Sequence, residues 1–368
     1  MIPYGTHYID AEDKRAVLDV LDSNFLTCGP KIDEFEQKVA SLIGARYAVA
    51  VNNGTSALHL AYLACGVKKG DEVITTPNTF AATANMLMAI GATPVLADIR
   101  SDTYNINEEK LESLINAKTK AIVPVHFAGH PCEMEIIWKI ARKHKLAVIE
   151  DGAHALGAKY RGKHIGGGSS DMVTFSFHPV KPITTGEGGL VATNSRELYE
   201  KMKLIRSHGI FKDKNGFNVM VELGYNYRMT DIQAALGISQ LKKLDHFLEL
   251  RHQVASWYKT ALSGITDIIL PVELEDCYSG WHLYAIRTKN EKDRLPLYKH
   301  LLKSGIGVNF HYPPLYWHPY YKASGYDGVA CPMAEQYGRT AITLPLHTRL
   351  KKKDIAFIAT SIADFFNK

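Results

Sequence analysis

The sequence predicts an α/β protein with a mostly parallel sheet in a large domain, helices on both faces, and a smaller α+β domain behind it. Two observations predict the sheet. From about residue 46, β-rich runs alternate with helical segments, beginning RYAVAVNN, GTSALHLAYLAC, DEVITTP, TFAATANMLMAI and TPVLADI, the rhythm of βαβ units. The chain is also 368 residues long, 46% hydrophobic and 22% charged, enough for about two domains with a large core. The alternation weakens towards the C-terminus, which predicts the second, smaller unit.

Taken in order, the uncharged stretch Val73 to Ala97 is long enough to raise the membrane question. Pro77, Gly91 and Pro94 interrupt it, so it reads as strand, helix and strand in a buried core. A helix near EEKLESLI, a strand KAIVPVHFA, a helix MEIIWKIARKHK and a strand LAVIEDGAH continue the rhythm. The glycine-rich loop KHIGGGSSD precedes two strand-like runs, DMVTFSFH and GLVATN, and a helix SRELYEKMKLIRSHG. One long helical stretch is expected from Thr230 to Leu262, with Ile232, Leu236, Leu241, Leu244, Leu248 and Trp257 on one apolar face bridging two domains. The boundary is placed near residue 245, giving a large domain over 1–245 and a small one over 246–368. In the small domain WHLYAIRT and VNFHYPP read as strands, and Leu295 to Ser304 and Lys353 to Phe366 as helices. The Lys351–Lys353 run reads as a solvated helix start.

Composition excludes several classes. A net charge of +5 favours anionic small molecules but falls short of a nucleic-acid face. Five scattered cysteines without a C-x-x-C pair argue against a disulfide framework and fit a reducing cytoplasm. No secretory signal is visible at the N-terminus, so the mature chain is expected to begin there. The 16 histidines are dispersed, with no H-E-x-x-H, so no metal site is expected.

The segment TFSFHPVKPITTGEGG places Lys181 between prolines where an apolar strand ends. A lysine held in a partly desolvated pocket has a lowered pKa and becomes a nucleophile for carbonyls; a solvated loop lysine is the commoner reading of that segment alone. Asp151 follows the apolar run LAVI and Glu150. A buried carboxylate there needs a cationic partner, such as a protonated pyridine nitrogen; alone, it could equally cap a helix. His154 could touch the same ring or cap a turn. Asn53-Gly54-Thr55-Ser56 is a strand-to-helix turn whose free amides suit a single phosphate, to which Ser176 could add a hydroxyl. It lacks the lysine of a P-loop and the G-x-G-x-x-G spacing of a dinucleotide fold. Phe80, at another strand end, could stack on a flat heteroaromatic ring or pack in the core.

Five motifs occur in order: NNGTSALHLA at 52–61, TPNTFAATAN at 76–85, EDGAHALGA at 150–158, SFHPVKPITTGEGG at 176–189 and GYNYRMTDIQAALG at 224–237. Over nearly the whole chain they resemble the DegT/StrS group, fold-type-I pyridoxal-phosphate aminotransferases that act on nucleotide-linked keto sugars. The resemblance implies a seven-stranded-type, mostly parallel sheet, bound pyridoxal 5'-phosphate, and a homodimer with active sites between subunits. It implies that Lys181 holds the cofactor aldehyde and Asp151 the pyridine nitrogen. By the same likeness Thr55, Ser56 and Ser176 hold the phosphate, Phe80 stacks on the ring and His154 lies near its phenolic oxygen. Asn226 would reach the neighbouring subunit's phosphate. His311 and Tyr312 match a segment that approaches the sugar, and Arg228 is a substrate, dimer or structural residue. The implied reaction carries nitrogen from L-glutamate to a nucleotide-linked 4-keto-6-deoxy sugar. A 3-aminotransferase, another 4-aminotransferase, or a non-catalytic regulatory protein on the same fold are the alternatives. Some relatives of the group are dehydratases with histidine in place of the lysine; this chain retains Lys181. The loop HFAGHPCEM is only loosely similar.

Overall fold

The computed structural model describes residues 1–367. Its centre is a seven-stranded sheet in the order Tyr47–Val51, Gly189–Thr193, Met172–Ser176, Ala147–Asp151, Thr119–Ile122, Glu72–Thr75 and Thr93–Leu96. The last five pair in parallel. Gly189–Thr193 runs against both its neighbours, so Tyr47–Val51 points the same way as the parallel set.

Alternation along the strands explains why both faces are covered. Ala48 and Ala50 join one apolar cluster, whereas Val49 and Val51 join the other. Likewise Val173 and Phe175 face the side opposite Met172. A strand apolar on both faces is stable only between two helical layers. Helices Pro30–Ile43 and Met134–His144 supply one layer, and Gly54–Ala64 and Arg196–Arg206 the other.

The strand-helix-strand reading of the uncharged stretch holds: Glu72–Thr75, Ala82–Ile90 and Thr93–Leu96. Gly91, at φ 83°, closes the helix in the left-handed conformation. No helix among the described residues is long and apolar enough to cross a membrane.

Several expected elements differ. The stretch from Thr230 to Leu262 is two helices, Asp231–Leu241 and Leu244–Leu262. Gln240 donates to Asp13 at 2.7 Å, and the Lys243 amine meets Asp10 and Asp13 at 2.6 and 2.9 Å. These contacts pin the break against helix Ala11–Leu21. The helix expected near EEKLESLI shrinks to a 3₁₀ turn, Glu108–Lys110, and the single turn Leu111–Leu114. Glu108 is drawn inward to Arg100 at 2.6 Å. VNFHYPP forms no strand; only Asn309 bridges Thr343. Pro313 and Pro314 have no N–H to continue a ladder.

The C-terminal sheet joins Ile268–Ile269, Tyr284–Thr288 and Ala341–Leu344 antiparallel. Helices Glu291–Lys303 and Lys352–Phe366 pack around Ile286, Leu297, Leu301, Ile342 and Ile358. Helix Leu244–Leu262 sends Leu244, Phe247 and Leu248 into one core cluster and Val254, Tyr258 and Leu262 into this one.

Candidate active site

All the main sheet's strands but one end on the same side, and the candidate residues gather there. The chain leaves Met172–Ser176, forms the loop bearing Lys181, and returns through Gly189–Thr193 with Ser176 paired to Gly189. The loop is held from within. Thr184 Oγ1 donates to the Phe177 carbonyl at 2.9 Å, and the Lys181 amide donates to the His178 carbonyl at 2.9 Å. Pro179 and Pro182 limit it further. Burial pushes the Lys181 amine down to about 8, Asp151 opposes this, and Arg251 acts with burial. An amine in that range is partly neutral and nucleophilic near neutral pH.

Asp151 closes strand Ala147–Asp151 and is only 4% exposed. Its carboxylate accepts from Thr83 Oγ1 at 2.7 Å and from the Ala153 amide at 3.1 Å. A carboxylate can only accept, so Thr83 donates to it, and Thr79 in turn donates to Thr83 at 2.8 Å. Among the described residues no cation meets Asp151 within 4 Å, although the Lys181 amine feels its charge.

His154 is buried, with Nδ1 unpartnered and Nε2 3.4 Å from the Tyr312 hydroxyl. Its ring lies 4.3 Å from that of His282, which has an unpartnered Nδ1 of its own. Burial, then Lys181 and His311, hold His154 well below the usual histidine range, so it is neutral. His311 is held by Thr343 at 2.9 Å and lies down at about 4, chiefly through burial. Tyr312 packs its ring 6.3 Å from that of Phe80, which is 61% exposed.

A second group lies at the start of helix Gly54–Ala64. Asn53 caps it by accepting from the Ser56 amide at 2.8 Å. A Cβ on Gly54 would stand 2.9 Å from the Ser176 Cβ, so only glycine lets this turn close on the serine without a shift. Thr55, Ser56 and Ser176 thus border one amide-lined corner, a place suited to a phosphate.

Asn226 and Arg228 make no side-chain hydrogen bond to these groups among the described residues. Asn226 is exposed and Arg228 half-buried. Backbone bridges from Asn226 to Ser207 and from Arg228 to Val51 set their segment beside the sheet edge. Tyr225 and Tyr227 stack at 4.9 Å against His59, which fixes the alternation of that segment.

Sequence reasoning missed Thr83, His282 and Arg251. The Thr79/Thr83 spacing, one helical turn, was the available signal for the first. The other two carried none, because their partners lie far along the chain.

The residues fit pyridoxal phosphate. A buried carboxylate without a cation suits the pyridine nitrogen, an unpartnered neutral imidazole suits the phenolic oxygen, and a glycine-closed helix start suits the phosphate. The comparisons agree. UDP-4-amino-4,6-dideoxy-N-acetyl-beta-L-altrosamine transaminase of Campylobacter jejuni subsp. jejuni serotype O:23/36 (strain 81-176) is 41% identical over 374 residues, covering 100% of this chain and 98% of the relative. The structure of Helicobacter pylori PseC, an aminotransferase involved in the biosynthesis of pseudoaminic acid, superposes with a TM-score of 0.95 at 38% identity, covering 100% of this chain and 99% of that one. Streptococcus pneumoniae Spr1654 in its PLP form gives 0.95 at 31%, covering 100% and 98%. The family model for DegT/DnrJ/EryC1/StrS aminotransferases matches residues 7–363. By sequence and fold the chain belongs to that family of pyridoxal-phosphate-dependent aminotransferases.

Proposed function

We propose that this chain moves the amino group of L-glutamate onto the keto carbon of a nucleotide-linked 4-keto-6-deoxy sugar, the substrate class of the enzyme that forms UDP-4-amino-4,6-dideoxy-N-acetyl-β-L-altrosamine, for which its C. jejuni relative is named. The observation that carries the reading is a buried Asp151 carboxylate, held by Thr83 and the Ala153 amide and left without a cation of its own among the described residues, whose charge acts on the Lys181 amine.

When bound, pyridoxal phosphate supplies an aldehyde that takes up nitrogen and an electron-poor ring that draws charge from the neighbouring carbon. Lys181 would hold that aldehyde and move protons as a base near neutral pH. Asp151, locked by Thr83, would keep the ring nitrogen protonated. His154 would hold the phenolic oxygen, and Phe80 would cover the ring face. Thr55, Ser56 and Ser176 would anchor the phosphate at the helix dipole. His311 and Tyr312 stand beside His154 on the small-domain side, where they would meet the sugar.

Two further parts of the reading concern assembly. A homodimer would cover Phe217 and Leu223, each 69% exposed, with Met220 at 61%, and would let Asn226 and Arg228 reach a neighbour's site. The large unit ends near residue 245, and the cytoplasm is the working compartment.

The test supplies the protein with pyridoxal phosphate, L-glutamate and a panel of nucleotide-linked 4-keto and 3-keto sugars. Products are read by mass spectrometry and NMR. The 4-keto-6-deoxy sugars should yield amino sugar and 2-oxoglutarate in equal amounts. Reaction with 3-keto sugars alone overturns the position, and absence of 2-oxoglutarate overturns the activity in favour of a regulatory protein. Sedimentation at the 41.0 kDa mass of a single chain would remove the dimer.

A further inference from the structure

Arg251 sits on helix Leu244–Leu262 and is 2% exposed. Its Nη1 donates to the carbonyls of Trp281 at 3.1 Å, His282 at 3.4 Å and Leu346 at 3.4 Å. Its Nη2 donates to the Val180 carbonyl at 3.5 Å, while Nε has no partner. Among the described residues no carboxylate forms an ion pair with it. A buried cation that meets only carbonyl dipoles is unusual, because burial without a counter-ion is costly. Trp281 has a φ of 39°, in the left-handed region that bulky residues avoid. That strained turn is what brings two successive carbonyls onto one guanidinium. Arg251 and Lys181 also line the same small cavity, together with Pro179, Pro182 and Gln240.

We propose that Arg251 is a positioning residue for Lys181: it ties the carbonyl just before the lysine to two segments of the small domain and sets an uncompensated positive charge beside the amine. The inference rests on reading Lys181 as the cofactor lysine. Burial lowers the Arg251 guanidinium only to about 10, so it is charged around neutral pH, disfavours a second cation nearby and keeps the amine nucleophilic, as a cationic neighbour does for other reactive lysines. The remaining groups around Lys181 are Asp151 on the opposite side, His178 on its own loop, His154 after the Asp151 strand, and His282 and His311 from the small domain. His347 faces Arg251. Asp151 pulls the amine towards protonation, and Arg251 acts against it.

The test reads Lys181 in the cofactor-free protein by competitive labelling with acetic anhydride across pH, followed on the Lys181 peptide by mass spectrometry. Arg251→Gln keeps a hydrogen-bond donor without the charge, and its labelling midpoint should rise by about one pH unit. Arg251→Lys keeps the charge but loses the fork, and it should melt earlier while its midpoint stays at the wild-type value. Arg251→Met serves as the neutral variant should the glutamine variant not fold. A neutral variant that titrates with the wild type, or neutral and lysine variants that shift alike, overturns the electrostatic role and leaves a structural clamp. Borohydride trapping of pyridoxal phosphate on the wild-type Lys181 peptide tests the parent reading separately. Absence of the adduct sinks that reading without altering the titration result.

Discussion

The corner at the start of helix Gly54–Ala64 is made of backbone amides and short hydroxyls, whereas the region around Asp151 is made of buried groups that titrate. The first depends on close approach, Gly54 against Ser176. The second depends on partners recruited from afar: Thr83 for Asp151, Tyr312 and His282 for His154, and Arg251 for the Lys181 loop. Anion recognition by amides needs little beyond the correct turn, so it is local and insensitive to pH. Proton handling needs desolvation and fixed charges, and therefore many long-range contacts.

The contrast can be broken by substitution. Lys181→Ala should cut glutamate-dependent 2-oxoglutarate formation by roughly 10⁴-fold, the upper range for a lost acid–base group, with the gel-filtration profile unchanged. Retained turnover would remove Lys181 from the chemistry. Asp151→Asn should cost roughly 10³-fold in kcat, with cofactor still captured; a near-normal rate would mean that its buried charge serves structure alone. Thr83→Val leaves Asp151 one donor short, and a loss of about tenfold or somewhat more is expected from a bond to a charged group. At the other end, Gly54→Ala should weaken pyridoxal phosphate binding by about tenfold, the scale of a modest overpacking strain, with little effect on the pH profile. A shifted profile in that variant would erase the distinction.

Acid and base sharpen the same comparison. His311 has a folded-state pKa of about 4, below its ordinary 6.5, and His154 is depressed as well. The unfolded chain then binds more protons between those values, so stability falls as pH drops from 6.5 towards 4. Lys181 behaves the same way higher up. With a folded value near 8 against 10.5 unfolded, it makes stability rise with pH across that window. Cofactor-free Lys181→Met should accordingly be more stable than wild type at pH 7, by up to about 3 kcal/mol, and the gap should close as pH approaches 10.5. Thermal melts across pH measure both slopes; a constant gap would contradict the burial of the amine.

Much of this architecture was legible because its signals are local. Strand-end motifs located Lys181, Asp151 and the Asn53 turn, since an apolar run followed by Pro-Val-Lys-Pro or Glu-Asp-Gly ends a strand wherever it occurs. The break at Lys243 was not legible, because the apolar face runs on through it and the cause lies in Asp10 and Asp13, more than two hundred residues earlier. Arg251 looked like any charged residue on a long helix. Its burial follows from carbonyls contributed by three other segments. The roles proposed for Asn226 and Arg228 would need a second subunit, so their exposure in one chain is neutral towards them.

Because Ser176 faces Gly189 across a paired stem and the Phe177 amide meets the Gly188 carbonyl at 2.9 Å, the loop bearing Lys181 enters and leaves the sheet at a single point. It is in effect a removable cassette. Grafting the corresponding loop from a relative would exchange the surroundings of Lys181 while leaving the strand register intact, which makes this stem the natural splice point for chimeras.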